Sequence, residues 1–196
     1  MEQSLQALLR ELYEFGKAND AANSDRSHKM LNITLDTGEF LELLVNAIGA
    51  KRILEIGTSN GYSTLFLAHA VRATRGRVTT VELSDYKLGL ARANFLRSGL
   101  TSVIELVHKD GGDYLNQPSL SPFDLVFLDS ERDQYVGWWP SLKKAIRAGG
   151  LLVVDNAVSH PREVRDFIAL VQSDSSFLTS LVPIGNGEFL ALRVVS

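Results

Sequence analysis

Leu5, Leu8, Leu9 and Leu12 recur at helical spacing on one face, so the chain opens with an amphipathic helix behind Ser4 that ends near Gly16. Residues 17–32 are polar with little periodicity and read as a mobile connection, either a plain linker or a lid over a site. A second helix starts at Asp36 or Thr37, buries Leu41, Leu44, Val45 and Ile48, and stops before Gly49. From residue 51 the period changes. Short apolar runs at 52–56, 77–83, 102–108, 123–129 and 151–155 alternate with amphipathic helical stretches at 62–74, 85–98, 135–147 and 161–172. Continuous apolar strands joined by helices predict a parallel sheet buried on both faces. Two further strand-like runs, FLTSLVPI and EFLALRVV, flank Gly185-Asn186-Gly187 and predict a terminal antiparallel hairpin.

The pattern therefore gives one doubly wound α/β domain over 1–196, with residues 1–50 as a helical extension or lid and 51–196 as the core. A length of 196 residues suits one such domain, and 45% hydrophobic with 22% charged residues is ordinary for a globular chain. The absence of cysteine excludes disulfides, thiolate metal sites and cysteine nucleophiles. A net charge of −3 offers no footprint for nucleic acid. The N-terminus lacks the basic start and apolar run of a signal peptide, and no apolar run reaches membrane-spanning length. A soluble cytoplasmic protein is expected.

In open α/β sheets ligands gather at the carboxyl ends of the strands. The first strand runs into Gly57-Thr58-Ser59-Asn60-Gly61-Tyr62-Ser63. Its glycines permit a tight turn, but the spacing is neither the dinucleotide GxGxxG nor a P-loop, and GTSNG is not a nucleophile elbow. Glu82 ends the second strand, where a carboxylate can accept both hydroxyls of a ribose. Asp110-Gly111-Gly112 follow the third strand beside the same crevice. Each element alone is ordinary; three strand ends in register point to a nucleoside site.

The runs ILEIGTSNGYSTLFLA, KDGGDYL, FDLVFLDSERDQY and GGLLVVDN, with Glu82 between the first two, occur in the order of a known family. Over roughly residues 28–195 the chain resembles the cation-dependent O-methyltransferases of the catechol and caffeoyl-CoA type. The resemblance implies a Rossmann-like methyltransferase fold, a seven-stranded, mostly parallel sheet whose last strand is antiparallel, and S-adenosylmethionine as cofactor. It places Gly57, Thr58 and Ser63 at the methionine end of the cofactor, supported by Glu55. Glu82 would hold the ribose, and Asp110 with Gly111 would border the adenine. Ile33 matches a position whose backbone touches the cofactor, and Asp129 belongs to the same contact set.

Asp129 ends the fourth strand and Asp155-Asn156 end the fifth. Aspartates often end parallel strands only to cap the next turn. In the expected topology, however, these strands are neighbours, and two carboxylates with an amide oxygen make a hard, partly filled site suited to Mg²⁺. The family's metal ligands fall at these three positions. Where the family commonly has a lysine three residues after the first aspartate, this chain has Arg132. Arginine stays protonated and cannot be a general base. It can steady a phenolate, grip an acceptor carboxylate, or lie on the loop surface, with Glu131 or Asp133 as other proton acceptors. Asp129, Arg132 and Asn156 form the expected catalytic set.

The remaining candidates have plainer readings. His69 and His108 read as structural, and His28 and His160 as surface residues able to face a substrate. Trp138 and Trp139 read as packing groups, one of them able to form an aromatic wall or a dimer contact. Lys143, Lys144 and Arg147 read as a solvated helix face. The expected activity is methyl transfer from S-adenosylmethionine to a hydroxyl of a small vicinal-diol aromatic, in a homodimer as the resemblance implies. The alternatives are methylation of a hydroxylated tRNA base, or a non-catalytic cofactor-binding module. Only five residues, 157–161, separate Asn156 from Arg162, which predicts an open acceptor site.

Overall fold

The computed structural model describes residues 1–195; Ser196, at the end of the expected domain, lies outside the described residues. Seven strands form one sheet: β1 (Arg52–Ile56), β2 (Arg77–Glu82), β3 (Ile104–His108), β4 (Phe123–Leu128), β5 (Ile146–Val154), β6 (Phe177–Val182) and β7 (Glu188–Arg193). Their spatial order is β3-β2-β1-β4-β5-β7-β6. The first five pair in parallel, and β7 runs antiparallel between β5 and β6. Reversal of strand order at β1 and β4 opens a crevice there, which is where such sheets hold ligands.

The helices are α1 (Gln3–Ala22), α2 (Leu35–Ala47), α3 (Tyr62–Ala73), α4 (Asp85–Ser98), α5 (Gly111–Leu115), α6 (Tyr135–Ala145) and α7 (Pro161–Gln172). Side chains alternate along each strand, so the central strands feed two separate cores. Ile53, Leu125, Phe127 and Val153 pack with Leu41, Val45 and Phe66 on one face. Leu54, Val126, Leu128 and Val154 pack with Trp139, Leu142 and Phe167 on the other. Burial on both sides explains why these strands read as continuous apolar runs.

Several boundaries differ from the sequence reading. The first helix does not stop at Gly16 but continues to Ala22, taking six residues from the supposed connection. Nor does Ser4 cap it; Glu2 stands at that position without a side-chain cap. The rest of the connection is tied down. The Asp20 carboxylate accepts the Met30 and Leu31 N–H groups at 2.6 and 2.8 Å, and residues 26–28 form a 3-10 turn. Thr34, rather than Asp36 or Thr37, caps α2. At the other end of the chain α6 stops at Ala145 and β5 begins at once, running through Gly149-Gly150.

The β6–β7 turn also braces the site. Asn186 O accepts the N–H groups of Val158 and Ser159, and Gly187 O accepts that of Ala157 at 2.8 Å. The hairpin thus fixes the loop leaving β5.

Candidate active site

The carboxyl ends of β1, β2, β4 and β5 surround a cavity of about 900 Å³. Gly57 turns the chain at the end of β1 with φ +107°, and a Cβ there would strike the Asp129 carbonyl. Behind the turn, the buried Glu55 carboxyl accepts hydroxyl donors from Ser63 and Thr80, each at 2.6 Å, and from Thr64. Burial raises Glu55 to about 7, against the pull of those hydroxyls. Glu55 does not itself line the cavity, whereas Gly57, Thr58 and Ser63 do. It holds the floor under them.

Glu82 lies across the turn. Its carboxylate accepts the N–H groups of Ser59 (2.8 Å), Leu83 (3.0 Å) and Ser84 (2.8 Å), which fixes its direction before any ligand arrives. Asp110 caps α5 through the Asp113 N–H at 3.0 Å. Gly111 lies against Trp138, leaving no room for a larger residue: a Cβ would sit 2.9 Å from the indole. Trp138 therefore walls the cavity beside Asp110 and Gly111, while Trp139 packs against Phe167 and Phe177. The segment from Arg26 to Ile33 closes one side, with Ser59 Oγ donating to Met30 O at 2.6 Å.

The other end of the cavity is acidic. Asn156 Nδ2 lies 2.7 Å from Asp155 Oδ2 and 3.3 Å from Asp129 Oδ1, so the three predicted side chains do converge. Asn156 adopts φ +67°, an uncommon conformation for a residue with a side chain, and Ser159 Oγ donates to its Oδ1 at 3.1 Å. Burial, then the charge of Asp155, pushes the Asp129 carboxyl well above the usual range. Burial raises Asp155 as well.

A third acid at this end escaped the sequence reading. Glu188 opens β7 fully buried; Thr37 Oγ1 donates to its Oε1 at 3.0 Å, and its Oε2 meets no hydrogen-bond donor. Burial raises it to about 10. In the sequence it is only the first residue of the strand-like run EFLALRVV, and only the position of α2 across the sheet reveals it.

Arg132 is not a surface residue. It is 9% exposed, lines the cavity, and donates from Nη1 to Glu163 Oε2 at 2.8 Å. Glu131 lines the cavity and Asp133 does not. His160 lines it too, with Nδ1 2.8 Å from Ser159 Oγ. His69 pairs with Glu42 at 2.9 Å, as a structural residue would, whereas His108 and His28 are exposed. The expected solvated basic face is largely spent: Lys143 pairs with Asp174 at 2.5 Å and Arg147 with Asp124, leaving Lys144 exposed. Among the described residues no helix is long and apolar enough to cross a membrane.

Seven strands in this order, with a ligand-sized cavity at their carboxyl ends and an acid closing β2, define the α/β methyltransferase fold. The O-methyltransferase family model matches residues 3–194, and the chain belongs to that family. It is 37% identical over 141 residues to a catechol O-methyltransferase of Mycobacterium tuberculosis, covering 72% of this chain and 62% of that protein. It is 34% identical over 131 residues to a catechol O-methyltransferase of Niastella koreensis, covering 65% of this chain and 59% of that one. The matches thus span about three fifths of the length of these relatives. Among solved structures, an O-methyltransferase from Bacillus cereus in complex with SAH superposes with a TM-score of 0.81 at 28% identity, covering 95% of this chain and 90% of that one.

Proposed function

We propose that this chain transfers a methyl group from S-adenosylmethionine to one hydroxyl of a small vicinal dihydroxy aromatic, assisted by a divalent cation. The observation that carries the reading is one cavity with two ends: Glu82 and the Gly57 turn at one, Asp129, Asp155 and Asn156 at the other. The SAH bound in the Bacillus cereus structure and the catechol acceptors in the relatives' names agree with it.

S-adenosylmethionine would supply an electrophilic sulfonium methyl. Glu82, already oriented by three backbone N–H groups, would accept its ribose hydroxyls. Trp138 and Gly111 would border the base, and Gly57, Thr58, Ser63 and the Ile33 backbone the amino-acid end.

The acidic end fits a cation. Among the described residues no three His, Cys, Asp or Glu side chains are placed to hold a metal ion, so the donors here would be two carboxylates and an amide. Such hard oxygen donors suit Mg²⁺, which keeps positions for water and substrate. Crowding two buried carboxylates around one point is costly unless a positive charge joins them, and Glu188 Oε2 nearby has no donor at all. A divalent cation held by Asp129, Asp155 and Asn156 would supply the Lewis acidity that favours an ionised acceptor hydroxyl. Arg132, permanently charged, would steady that anion or an acceptor carboxylate without acting as a base.

The test is incubation with methyl-labelled S-adenosylmethionine, catechol and Mg²⁺. A monomethylated catechol is expected; absence of transfer to any vicinal diol, with cofactor binding intact, would remove the activity from this reading.

A further inference from the structure

The buried residues of α1 are Leu5, Leu8, Leu9, Leu12 and Gly16, and its leucines belong to the same core as Leu65 and Phe95. Packing therefore accounts for the helix as far as Gly16 and no further. Residues 17–22 bury nothing, yet they stay helical, and what they supply is polar. Asn19 Nδ2 donates to His28 O at 2.8 Å and to Asp20 Oδ1 at 3.0 Å. The two oxygens of Asp20 each take one backbone donor, Oδ1 the Met30 N–H at 2.6 Å and Oδ2 the Leu31 N–H at 2.8 Å. The segment held this way, Met30 to Ile33, lines the cavity. Leu31 has φ +51°, and Ser59 in the facing turn has φ +50°, both uncommon for residues with side chains and sustained only where the surroundings fix them.

We infer that Asp20 is a positioning residue for the cofactor: from the rigid post of α1 it holds Met30 and Leu31, and so keeps the segment before α2 in its binding conformation against the Gly57 turn. The inference rests on the cofactor reading above. An unbroken run of hydrogen bonds leads from Asp20 to the proposed ribose acceptor. Asp20 takes the Met30 N–H, Met30 O accepts Ser59 Oγ at 2.6 Å, and the Ser59 N–H donates to Glu82 Oε2 at 2.8 Å. A chain that must first order such a segment loses apparent affinity in proportion to the fraction already ordered. A carboxylate is suited to the task because it offers an acceptor to each of two adjacent donors. An amide keeps one acceptor oxygen and turns an NH₂ toward the other donor.

The test titrates S-adenosylmethionine into the whole chain without acceptor by calorimetry. Alongside it, hydrogen exchange of the Met30 and Leu31 amides is followed in the ligand-free chain, and folding by thermal denaturation. Asp20→Ala is expected to weaken cofactor binding about tenfold and to speed exchange at both amides about tenfold, with the melting temperature nearly unchanged. Asp20→Asn is expected to fall between the two chains in affinity and exchange, and decides the matter should Asp20→Ala not fold. A lower melting temperature with undiminished affinity would make Asp20 a structural residue only. Weaker binding with unchanged amide exchange would make it a direct contact of the cofactor. Either result would overturn the positioning role. Failure of the unsubstituted chain to bind S-adenosylmethionine would instead overturn the cofactor reading beneath it.

Discussion

Arg132 Nη1 lies 2.8 Å from Glu163 Oε2, joining the loop after β4 to the first turn of α7 at the mouth of the cavity. The guanidinium beside Glu163 holds that carboxyl below its usual range, so the contact is an ion pair. A guanidinium carries five N–H donors and Glu163 takes one, which leaves Arg132 able to meet an anionic acceptor. Arg132→Gln is expected to lower kcat/KM for 3,4-dihydroxybenzoate by about 10–100-fold and for catechol by less. Steady-state kinetics on the two acceptors decide it. Equal losses would place the guanidinium on the ring hydroxyls instead.

Gly57 and Gly89 make a pair of opposite predictions. At Gly57, φ is +107° and a Cβ would meet the Asp129 backbone, so Gly57→Ala should destabilise the chain by about 1–3 kcal/mol. At Gly89, inside α4, a Cβ meets nothing within 4 Å. Gly89→Ala should stabilise by about 0.5–1 kcal/mol through backbone entropy. Calorimetric melting of both variants reads the two signs directly.

Glu55 predicts a pH dependence of stability. Burial raises it from 4.5 to about 7 in the folded chain. The folded state therefore binds the proton more tightly than the unfolded one, and stability falls as pH rises. The contribution is fully present below about 4.5 and gone once pH passes about 7; it is on the order of 3 kcal/mol. Glu55→Gln mimics the protonated form. Between pH 5 and 8 its melting temperature should fall less than that of the unsubstituted chain, and identical slopes would count against a raised Glu55.

The chemistry-bearing strand ends were legible because parallel strands buried on both faces write themselves as apolar runs. An acidic residue at or just past the end of each run then marks its carboxyl end: Glu82, Asp110, Asp129, Asp155. Placing Asp129 beside Asp155 needed only the order β1-β4-β5. Gly16 misled because a helix-stopping residue was assumed, whereas a Cβ there would strike the Asn32 side chain, whose amide donates to Leu12 O. The glycine serves close packing. Helix α5 was hidden by its opening Gly111-Gly112, and the first half of β5 by Gly149-Gly150 in its middle. Glu188 was invisible for a different reason: it lies 151 residues from its partner Thr37, and no local pattern announces such a contact.

The central claim is that Asp129, Asp155 and Asn156 form the acceptor end of a cation-assisted methyl transfer. The most direct measurement is the rate of methyl transfer from S-adenosylmethionine to catechol with Mg²⁺, with excess chelator, and with Asp155→Ala, alongside calorimetric binding of S-adenosylmethionine to each. The account predicts transfer that falls by about 100-fold or more under chelation and in Asp155→Ala, with cofactor affinity nearly unchanged. Transfer undiminished under chelation, in a chain that binds the cofactor normally, would contradict it.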